Sequence, residues 1–559
     1  MARHLSLRGK GLGLLAAASL LATAACGSTV QTGGSTRAGG DAAGPGVVGS
    51  DGLGGDGLGG AGAGGIDGLG AAGSTGSGST GSGPGGAGTA LGGGTGGSGG
   101  SGGTGGSGGG TSGGSSGGGA APSGTAGTPR TSAAQGPGIT AKEIFVGVRE
   151  TKNLEKARQA FGVGSADSGD YRADVEALIA EVNARGGVAG RKLSPVWHTD
   201  DATSAETNDA RDQAACETFT VDHKIAATIA GGGLVFSACM KKAGVLWVTG
   251  SGLIGPDEKD YRDAPNYVEM GGLTQDRMMA DLVRALQRQI YFSGWDEKLG
   301  QPATTTAKIG ILGWAFAQWV RPQDRVMLPA LARIGRPVDP ELVIRLSEPK
   351  NGNADAGQFA AEVSSAVLRF KGAGVTHVIM LDSGGIITLT FTKNAENQGY
   401  FPRLGINTAA GLQYLSSLPG SDTKAYAGAI GLGWKPTLDL PRGQGDRYLT
   451  SATTECLKII SKRTGQNFTD TNAASVALSV CDAIFGVAEA FKRAGPVLNV
   501  STGVRGLESL GGSFRAASVP KVFIGPGRHD GLELGFDMYW ETACTCIKYK
   551  DSGHRIPAA

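Results

Sequence analysis

The sequence predicts an α/β protein whose parallel sheets are divided between two lobes, preceded by a long Gly- and Ser-rich segment. Short β-branched runs alternate with amphipathic helical stretches from about residue 139 onward, which is the order expected of βαβ units. That part of the chain spans roughly 420 residues, more than one hydrophobic core usually holds. Residues 27–138, in contrast, are dominated by Gly, Ser, Thr and Ala and contain almost no large apolar side chains.

The first 26 residues have the order of an export signal. MARHLSLRGK carries basic residues and is followed by the apolar stretch GLGLLAAASLLATAAC, which is too short to span a bilayer. Its end, Thr23-Ala24-Ala25-Cys26, resembles a lipobox, so we expect residues 1–26 to be a lipoprotein signal peptide with Cys26 as the lipid anchor. An ordinary cleavage site with an incidental cysteine is the alternative, because position 23 is Thr where Leu is commoner. No later stretch is expected to span a membrane.

Residues 27–138 predict a disordered tether. Each Gly adds ordering entropy, and there is little apolar surface whose burial could offset it. A random coil of about 110 residues reaches roughly 50 to 65 Å, which suits a linker that lifts a domain off a surface. Low-complexity drift without a selected length is the alternative.

Composition and motifs argue against nucleic-acid binding and catalysis. The formal net charge is +2 and there is no long basic run, so we expect no nucleic-acid partner. The six histidines are scattered, and no HExxH, G-x-S-x-G or Walker sequence occurs. His377 lies in an apolar run and is interpreted as a core residue. We therefore expect no enzyme, no metal site and no cofactor.

The first half of the folded part predicts four strands and the helices between them. Asp170 can cap the first helix, whose Val175, Leu178 and Val182 lie on one face. That helix ends at a Gly-Gly pair, where a left-handed cap is easy. The predicted strands are 143–148, 193–198, 225–229 and 245–248, and a second helix is 204–222.

A second series of elements begins near Thr274. The run 375–381 is apolar except for Thr376 and His377, so it predicts a buried central strand. Two long helices, 446–464 and 472–494, complete a layer that we assign back to the first lobe. The other predicted elements are strands 308–312, 341–345, 404–406 and 427–432, and helices 318–333, 354–373 and one that ends at 398.

The order and wording of these elements resemble the periplasmic binding proteins of the leucine/isoleucine/valine type, the solute receptors of branched-chain amino-acid ABC importers. The most specific part is 177–201, ALIAEVNARGGVAGRKLSPVWHTDD, where the family has a helix that ends in an Asn-x-x-Gly-Gly-x-x-Gly turn and a strand that runs into Asp-Asp. The resemblance continues from Cys216 to Ser251. Weaker matches are 375–385, 398–400 and 532–540.

The resemblance implies a periplasmic binding protein type 1 fold, with two Rossmann-like lobes joined by a three-strand hinge and a ligand between them. It implies an extracytoplasmic, membrane-anchored protein that binds an amino acid, an amide or a related molecule and delivers it to an ABC transporter permease. A ligand-sensing receptor subunit that signals to a membrane partner is the alternative, since both functions need only domain closure. The implied lobe 1 is 139–268 and 434–528, lobe 2 is 269–433, and 529–559 is a C-terminal return and tail.

The ligand site is predicted in loops after strands, because ligands in open α/β sheets sit beyond the carboxyl ends of the strands. A helix N-terminus follows the third strand and suits a carboxylate, while hydroxyls and bare backbone follow the fourth. By resemblance, the family holds a ligand carboxylate at these positions; ordinary tight turns are the alternative. The candidates are Gly232, Gly233, Leu234, Thr249, Gly250 and Ser251.

On the second lobe, Trp314 and Phe316 occupy the place where the family commonly has an aromatic residue over the ligand; a core role is the alternative. Asp382 and Ser383 follow the central strand, and Asp382 either anchors a ligand cation or caps the next helix. The family's amino-acid receptors often carry an acidic residue at the position of 407–410, and none stands here. An α-amino acid is therefore a weaker prediction than the fold suggests.

If the lipobox cysteine is acylated, six cysteines remain, an even number that points to disulfides in an exported chain. The resemblance implies one pair on two consecutive helices, and the apolar stripes of two later helices could bring a second pair together. Cys544 and Cys546 stay open between a strained ring, free thiols, metal binding and pairing with another chain. The two predicted pairs are Cys216 with Cys239 and Cys456 with Cys481.

Overall fold

The computed structural model describes residues 135–154, 156, 169–250, 255–347, 349, 355–418, 423–550 and 552–557. The predicted signal peptide with Cys26, nearly all of the predicted tether, and Ser251 lie outside these residues.

The first half of the described chain forms a five-stranded sheet in which all neighbouring strands are parallel, in the order β2-β1-β3-β4-β5. Helices alternate with the strands, so the predicted βαβ order is confirmed. We call this sheet and the helices packed on it the first lobe. Its strands are β1 (Glu143–Lys152), β2 (Lys192–Asp201), β3 (Ala227–Thr228), β4 (Leu246–Thr249) and β5 (Tyr267–Glu269), and its helices are α1 (Tyr171–Ala184), α2 (Asn208–Glu217), α3 (Leu234–Ala243) and α4 (Glu258–Asp263).

Local sequence signals set the ends of several of these elements. The Asp170 side chain accepts a hydrogen bond from the Ala173 amide at 3.0 Å and caps α1, as predicted. Gly187, just after α1, has a φ of +72°, and a Cβ there would meet the Arg191 carbonyl oxygen at 2.1 Å. The predicted helix 204–222 is shorter than expected, because it starts after the cap Thr207 and its last turn widens into a π-helix.

A second, larger sheet contains the next part of the chain, and we call it and its helices the second lobe. The strand His377–Leu381 lies in the centre of this sheet, between Ile309–Trp314 and Arg403–Asn407, and is completely buried. This confirms the prediction of a buried central strand in the run 375–381. The predicted helix 318–333 is interrupted by a π-helical turn at Gln323–Met327. The elements are α5 (Gln275–Arg288), β6 (Trp295–Asp296), β7 (Gln301–Pro302), β8 (Ile309–Trp314), α6 (Ala317–Pro322), α7 (Leu328–Arg333), β9 (Val343–Leu346), α8 (Ala356–Gly372), β10 (His377–Leu381), α9 (Ile386–Asn397), β11 (Arg403–Asn407), α10 (Leu412–Ser417) and β12 (Ile430–Gly433). Of these, β6 and β7 pair with each other in a separate two-stranded sheet.

The chain then returns to the first lobe through α11 (Pro436–Asp439), α12 (Ser451–Thr464), α13 (Thr471–Arg493) and α14 (Val500–Glu508). Both long helices share a buried apolar cluster with β1, as predicted. We expected no later stretch to be apolar enough to span a membrane. This is wrong for α13, which by length and composition alone is long and apolar enough to do so. Its apolar window is 78% buried, so packing inside the lobe accounts for its composition.

The last strands, β13 (Leu534–Glu541), β14 (Cys546–Tyr549) and β15 (His554–Arg555), return to the second lobe. They pair antiparallel, so the larger sheet is mixed and runs β14-β13-β12-β11-β10-β8-β9, with β15 beside β13. The chain thus passes between the sheets three times: after β5, after β12 and after α14. The predicted fold class of two α/β lobes with a three-strand hinge is confirmed, with these antiparallel strands as a correction.

Three disulfides join the six cysteines of the described chain. Two of them, between α2 and α3 and between α12 and α13, are the predicted pairs Cys216–Cys239 and Cys456–Cys481. The third, Cys544–Cys546, closes the tight turn between β13 and β14, where Thr545 has a φ of +49°. This bond settles the state that the sequence left open.

Candidate functional site

Loops at the carboxyl ends of the two sheets contact each other. Arg321 on α6, which follows β8, donates to Asp257 at 2.6 Å and to Asp260 at 2.8 Å in the segment that follows β4. The side-chain amide of Asn208, which follows β2, donates to the carbonyl oxygen of Pro349, which follows β9, at 3.4 Å. We call the region between these loops the interlobe site. It is where parallel α/β sheets bind ligands.

The predicted carboxylate subsite at the start of α3 already holds a carboxylate of the chain itself. The Gly233 amide, at the N-cap of α3, donates to Asp212 Oδ2 at 2.7 Å. Asp212 lies on α2, and its side chain is only 5% exposed. Gly232 and Leu234 are half-buried beside it. The sequence prediction missed Asp212. An acidic residue on the same helical face as Ala215 and Cys216 is the signal that could have found it.

A buried arginine ties Asp212 to the end of β2. Arg149 on β1 donates from Nε to Asp200 and from Nη1 to Asp212 Oδ1 at 2.7 Å, and it also reaches the Gly231 carbonyl oxygen at 3.3 Å. Burial by itself would raise the pKa of Asp200, but hydrogen bonds from His198 and Arg149 hold that pKa below its usual value. One guanidinium is therefore shared by two carboxylates at this edge of the sheet.

The residues predicted after β4 lie against the hinge side of α13. The Thr249 and Tyr267 hydroxyl oxygens are hydrogen bonded at 3.0 Å. Gly250 is buried, and a Cβ at this position would meet the Ser479 carbonyl oxygen at 2.3 Å and the Asp482 Cβ at 2.7 Å. The need for glycine at 250 thus comes from close packing on α13. Of the pair, Thr249 keeps partial exposure.

The two aromatic candidates of the second lobe have different surroundings. Trp314 is 2% exposed and stacks on Phe316 with ring centroids 5.3 Å apart and on Phe359 at 5.7 Å. Trp314 is therefore a core residue. Phe316 is half-buried at the start of α6 and retains aromatic surface near the contact with the first lobe.

The contacts of Asp382 are those of a helix cap. Its side chain is completely buried and accepts hydrogen bonds from the Ser383 amide at 2.7 Å and from the Thr388 amide and hydroxyl, each at 2.8 Å. Thr388 lies in the first turn of α9. Burial raises the pKa of Asp382 to about 6, although these hydrogen bonds oppose the rise. Ser383 is half-buried at the same turn.

The segment after β11, where the resembling receptors often have an acidic residue, is buried here. The Thr408 hydroxyl donates to Asp439 Oδ2 at 2.7 Å. The same carboxylate accepts the amides of Trp434 and Lys435, each at 3.1 Å, and the Tyr549 hydroxyl. Asp439 therefore fastens the second crossing to the second lobe, a role that the sequence did not reveal.

A separate groove of about 540 Å³ lies between α1 and α12. Its lining includes Glu181, Arg185 and Arg463, which are paired with one another in surface salt bridges. Its lining includes none of the residues that make the contacts between the lobes at the interlobe site. Within the described ranges there is no group of three or more His, Cys, Asp or Glu residues arranged to hold a metal ion.

Two α/β lobes are joined by three crossings, and the carboxyl-end loops of their sheets face each other. Solved structures with the periplasmic binding protein type 1 fold are similar to this chain, which confirms the resemblance at the level of the fold. One similar structure is the solute-binding protein of an ABC transporter from R. palustris in complex with 4-hydroxybenzoate, with a TM-score of 0.51, 13% identity and coverage of 74% of this chain and 98% of that one.

Two further solved structures have the same fold. A fatty acid ABC transporter substrate-binding protein from Thermomonospora curvata has a TM-score of 0.50 and 14% identity, and covers 76% of this chain and 97% of that one. A periplasmic binding protein type 1 from Bordetella pertussis has a TM-score of 0.50 and 15% identity, and covers 73% of this chain and 99% of that one. No protein-family model and no curated protein matches the sequence. At these identities the likeness shows the fold alone.

Proposed function

We propose that this protein is the extracytoplasmic solute-binding lipoprotein of an ABC importer and that it holds a small polar or amphipathic molecule in the interlobe site. The observation that carries the proposal is the direct contact between carboxyl-end loops of two α/β lobes, made by Arg321 with Asp257 and Asp260. Lobes that meet there and are joined by three crossings can close on a solute and exclude water from it. Such a role needs no catalytic group.

The proposed contacts come from both lobes. Partly exposed groups suit direct contact with a ligand: the turn into α3 and Thr249 on the first lobe, and Phe316 and Ser383 on the second. An aromatic face supplies apolar contact, while backbone amides and hydroxyls orient the polar part of the ligand. The other predicted ligand-site residues that the structure describes are buried and support these groups through packing and hydrogen bonds: Gly233, Gly250, Trp314 and Asp382. Ser251 is the remaining residue of the predicted ligand site.

A thermal-stability screen of the full chain tests the binding role. The panel contains amino acids, amides, short peptides and carboxylates. A ligand present at 100 times its Kd stabilises a folded protein by about 2.7 kcal/mol, which gives a clear rise in Tm. We expect at least one compound to produce that rise, and no rise with any compound would contradict the proposal.

Two aromatic variants place the binding in the interlobe site. Phe316→Ala should abolish the rise in Tm, because it removes the exposed aromatic surface beside α6. Phe292→Ala is the matched control, since Phe292 is also half-buried but lies next to Tyr291, whose hydroxyl contacts the first residue of β11 at the opposite end of the strands. Equal responses of the two variants would contradict this location.

The lipid anchor is tested separately by fractionating cells that express the full chain. Cys26→Ala should release the protein from membranes, because the thioether-linked lipid can no longer form. Thr23→Leu, which brings the lipobox closer to its commoner form, should leave the protein membrane-bound. A Cys26→Ala protein that stays in the membrane fraction would show that the lipobox interpretation is wrong.

A further inference from the structure

The geometry of both lobes points to an uncharged solute, such as a primary amide or an alcohol with an apolar part, in place of a zwitterionic α-amino acid. This inference rests on the proposed function and specifies the ligand class of the same site. A zwitterion needs a cationic partner for its carboxylate and an acidic partner for its ammonium group. In this chain, the candidate partners already form ion pairs or hydrogen bonds with other residues.

At the start of α3, the positive charge among the described residues is already paired with carboxylates of the chain. Asp212 occupies the Gly233 amide at 2.7 Å and the Arg149 guanidinium at 2.7 Å, and Asp200 occupies the other side of that guanidinium. The side chains of these three charged residues are between 5% and 13% exposed, so solvent screens them little. A ligand carboxylate at this helix N-terminus would lie next to Asp212 and would be repelled by it.

A neutral group does not meet this repulsion. The first amides of a helix have no partner within the helix, and a carbonyl or hydroxyl oxygen of an uncharged ligand can accept hydrogen bonds from them. The turn into α3 is exposed at Gly231 and half-buried at Gly232 and Leu234, so a small polar group can approach it. The subsite that the resemblance assigns to a carboxylate therefore suits an amide or a hydroxyl group.

The second lobe offers no available carboxylate for an ammonium group in the described loops after β10 and β11. Asp382 is completely buried and accepts three hydrogen bonds from the cap of α9. Asp439 is 5% exposed and accepts hydrogen bonds from Thr408, from two backbone amides and from Tyr549. In these described loops, the charged groups that a zwitterion would need are already paired within the chain, on each lobe for an independent structural reason.

Calorimetric titration of the full chain with acid and amide pairs tests the inference. Each pair shares one skeleton, for example isobutyrate with isobutyramide and 4-hydroxybenzoate with 4-hydroxybenzamide, and leucine and valine are titrated beside them. For at least one skeleton we expect the amide to bind at least tenfold more tightly than the acid. Tighter binding of the acids or of the α-amino acids by the wild-type protein would overturn the inference.

A variant without the charge of Asp212 tests whether that charge causes the preference for amides over acids. Asp212→Asn removes the repulsive charge while it keeps an oxygen for the Gly233 amide, so it should narrow the ratio of amide to acid affinity at least fivefold. Asp209→Asn makes the same change of charge on the same helix at an exposed position and should leave the ratio unchanged. An unchanged ratio in folded Asp212→Asn protein would also overturn the inference.

The wild-type comparison keeps the inference falsifiable even if Asp212→Asn does not fold. Failure of every amide, acid and amino acid to bind the wild-type protein would refute the proposed function together with the inference. A preference for acids would refute the inference alone, since it would still demonstrate solute binding.

Discussion

The contact of Arg321 with the first lobe gives the most direct test of how the lobes are held together. Arg321→Gln removes the donors to Asp257, which is completely buried, and to Asp260. Breaking a buried ion pair costs about 3 to 5 kcal/mol, whereas an exposed pair is worth about 0 to 1 kcal/mol. Because the Arg321 side chain is 32% exposed, we expect an intermediate loss of about 2 kcal/mol.

That loss corresponds to roughly a 30-fold change in the equilibrium between the contact that is formed and the contact that is broken. Denaturant unfolding measures the loss of stability, and small-angle scattering measures the radius of gyration of the unliganded protein. We expect a lower unfolding midpoint and a larger radius, since the lobes lose the ion pairs of Arg321 at the interlobe site and keep only weaker contacts there such as that of Asn208.

Arg333→Gln is the matched control, because Arg333 lies on the adjacent helix α7 and is exposed. It should leave both quantities at their wild-type values. If Arg321→Gln and Arg333→Gln proteins have the same unfolding midpoint and the same radius of gyration, the reasoning about this contact is refuted.

Three further changes test the packing of the first lobe by denaturant unfolding. Burial raises the pKa of Asp174 to about 7 in the folded protein. The stabilising contribution of this carboxyl group is therefore present below about pH 4 and is lost as the pH rises through 7. The free energy of unfolding of Asp174→Asn should exceed that of wild type by about 2 kcal/mol at pH 8 and by nothing at pH 4, and equal differences at both pH values would contradict this. Replacing Cys456 and Cys481 together by Ser should lower stability by about 3 kcal/mol under non-reducing conditions, and an unchanged midpoint would show that the bond is not formed. Asp482→Ala leaves two buried backbone amides of the third crossing without an acceptor and should cost about 3 kcal/mol, whereas a loss below about 1 kcal/mol would mean that water replaces the carboxylate.

Much of the fold could be predicted because the signals are local. The stripe of apolar residues and the Asp170 cap indicated α1, and the apolar run around Val378 indicated the central strand β10. The sequence predicted a C-terminal return but not its antiparallel strands β13 to β15. The partner of β13, which is β12, lies about 100 residues earlier in the chain, and pairing direction leaves no periodic trace. The site was predicted only as a set of loops.

The sequence by itself determined the alternation of strands and helices and the division of the folded chain into two lobes, since these depend on periodicity and length. The resemblance implied the pair Cys216–Cys239, and only the tertiary structure decided the state of Cys544 and Cys546. The tertiary structure decided which charges remain for a ligand. From the sequence, Asp382 is predicted either as a ligand contact or as a helix cap, and Asp212 is not singled out at all until its neighbours are known. The physical reason is that a carboxylate satisfied by buried donors of its own chain has no hydrogen-bonding capacity left to offer, and only three-dimensional packing brings those donors to it.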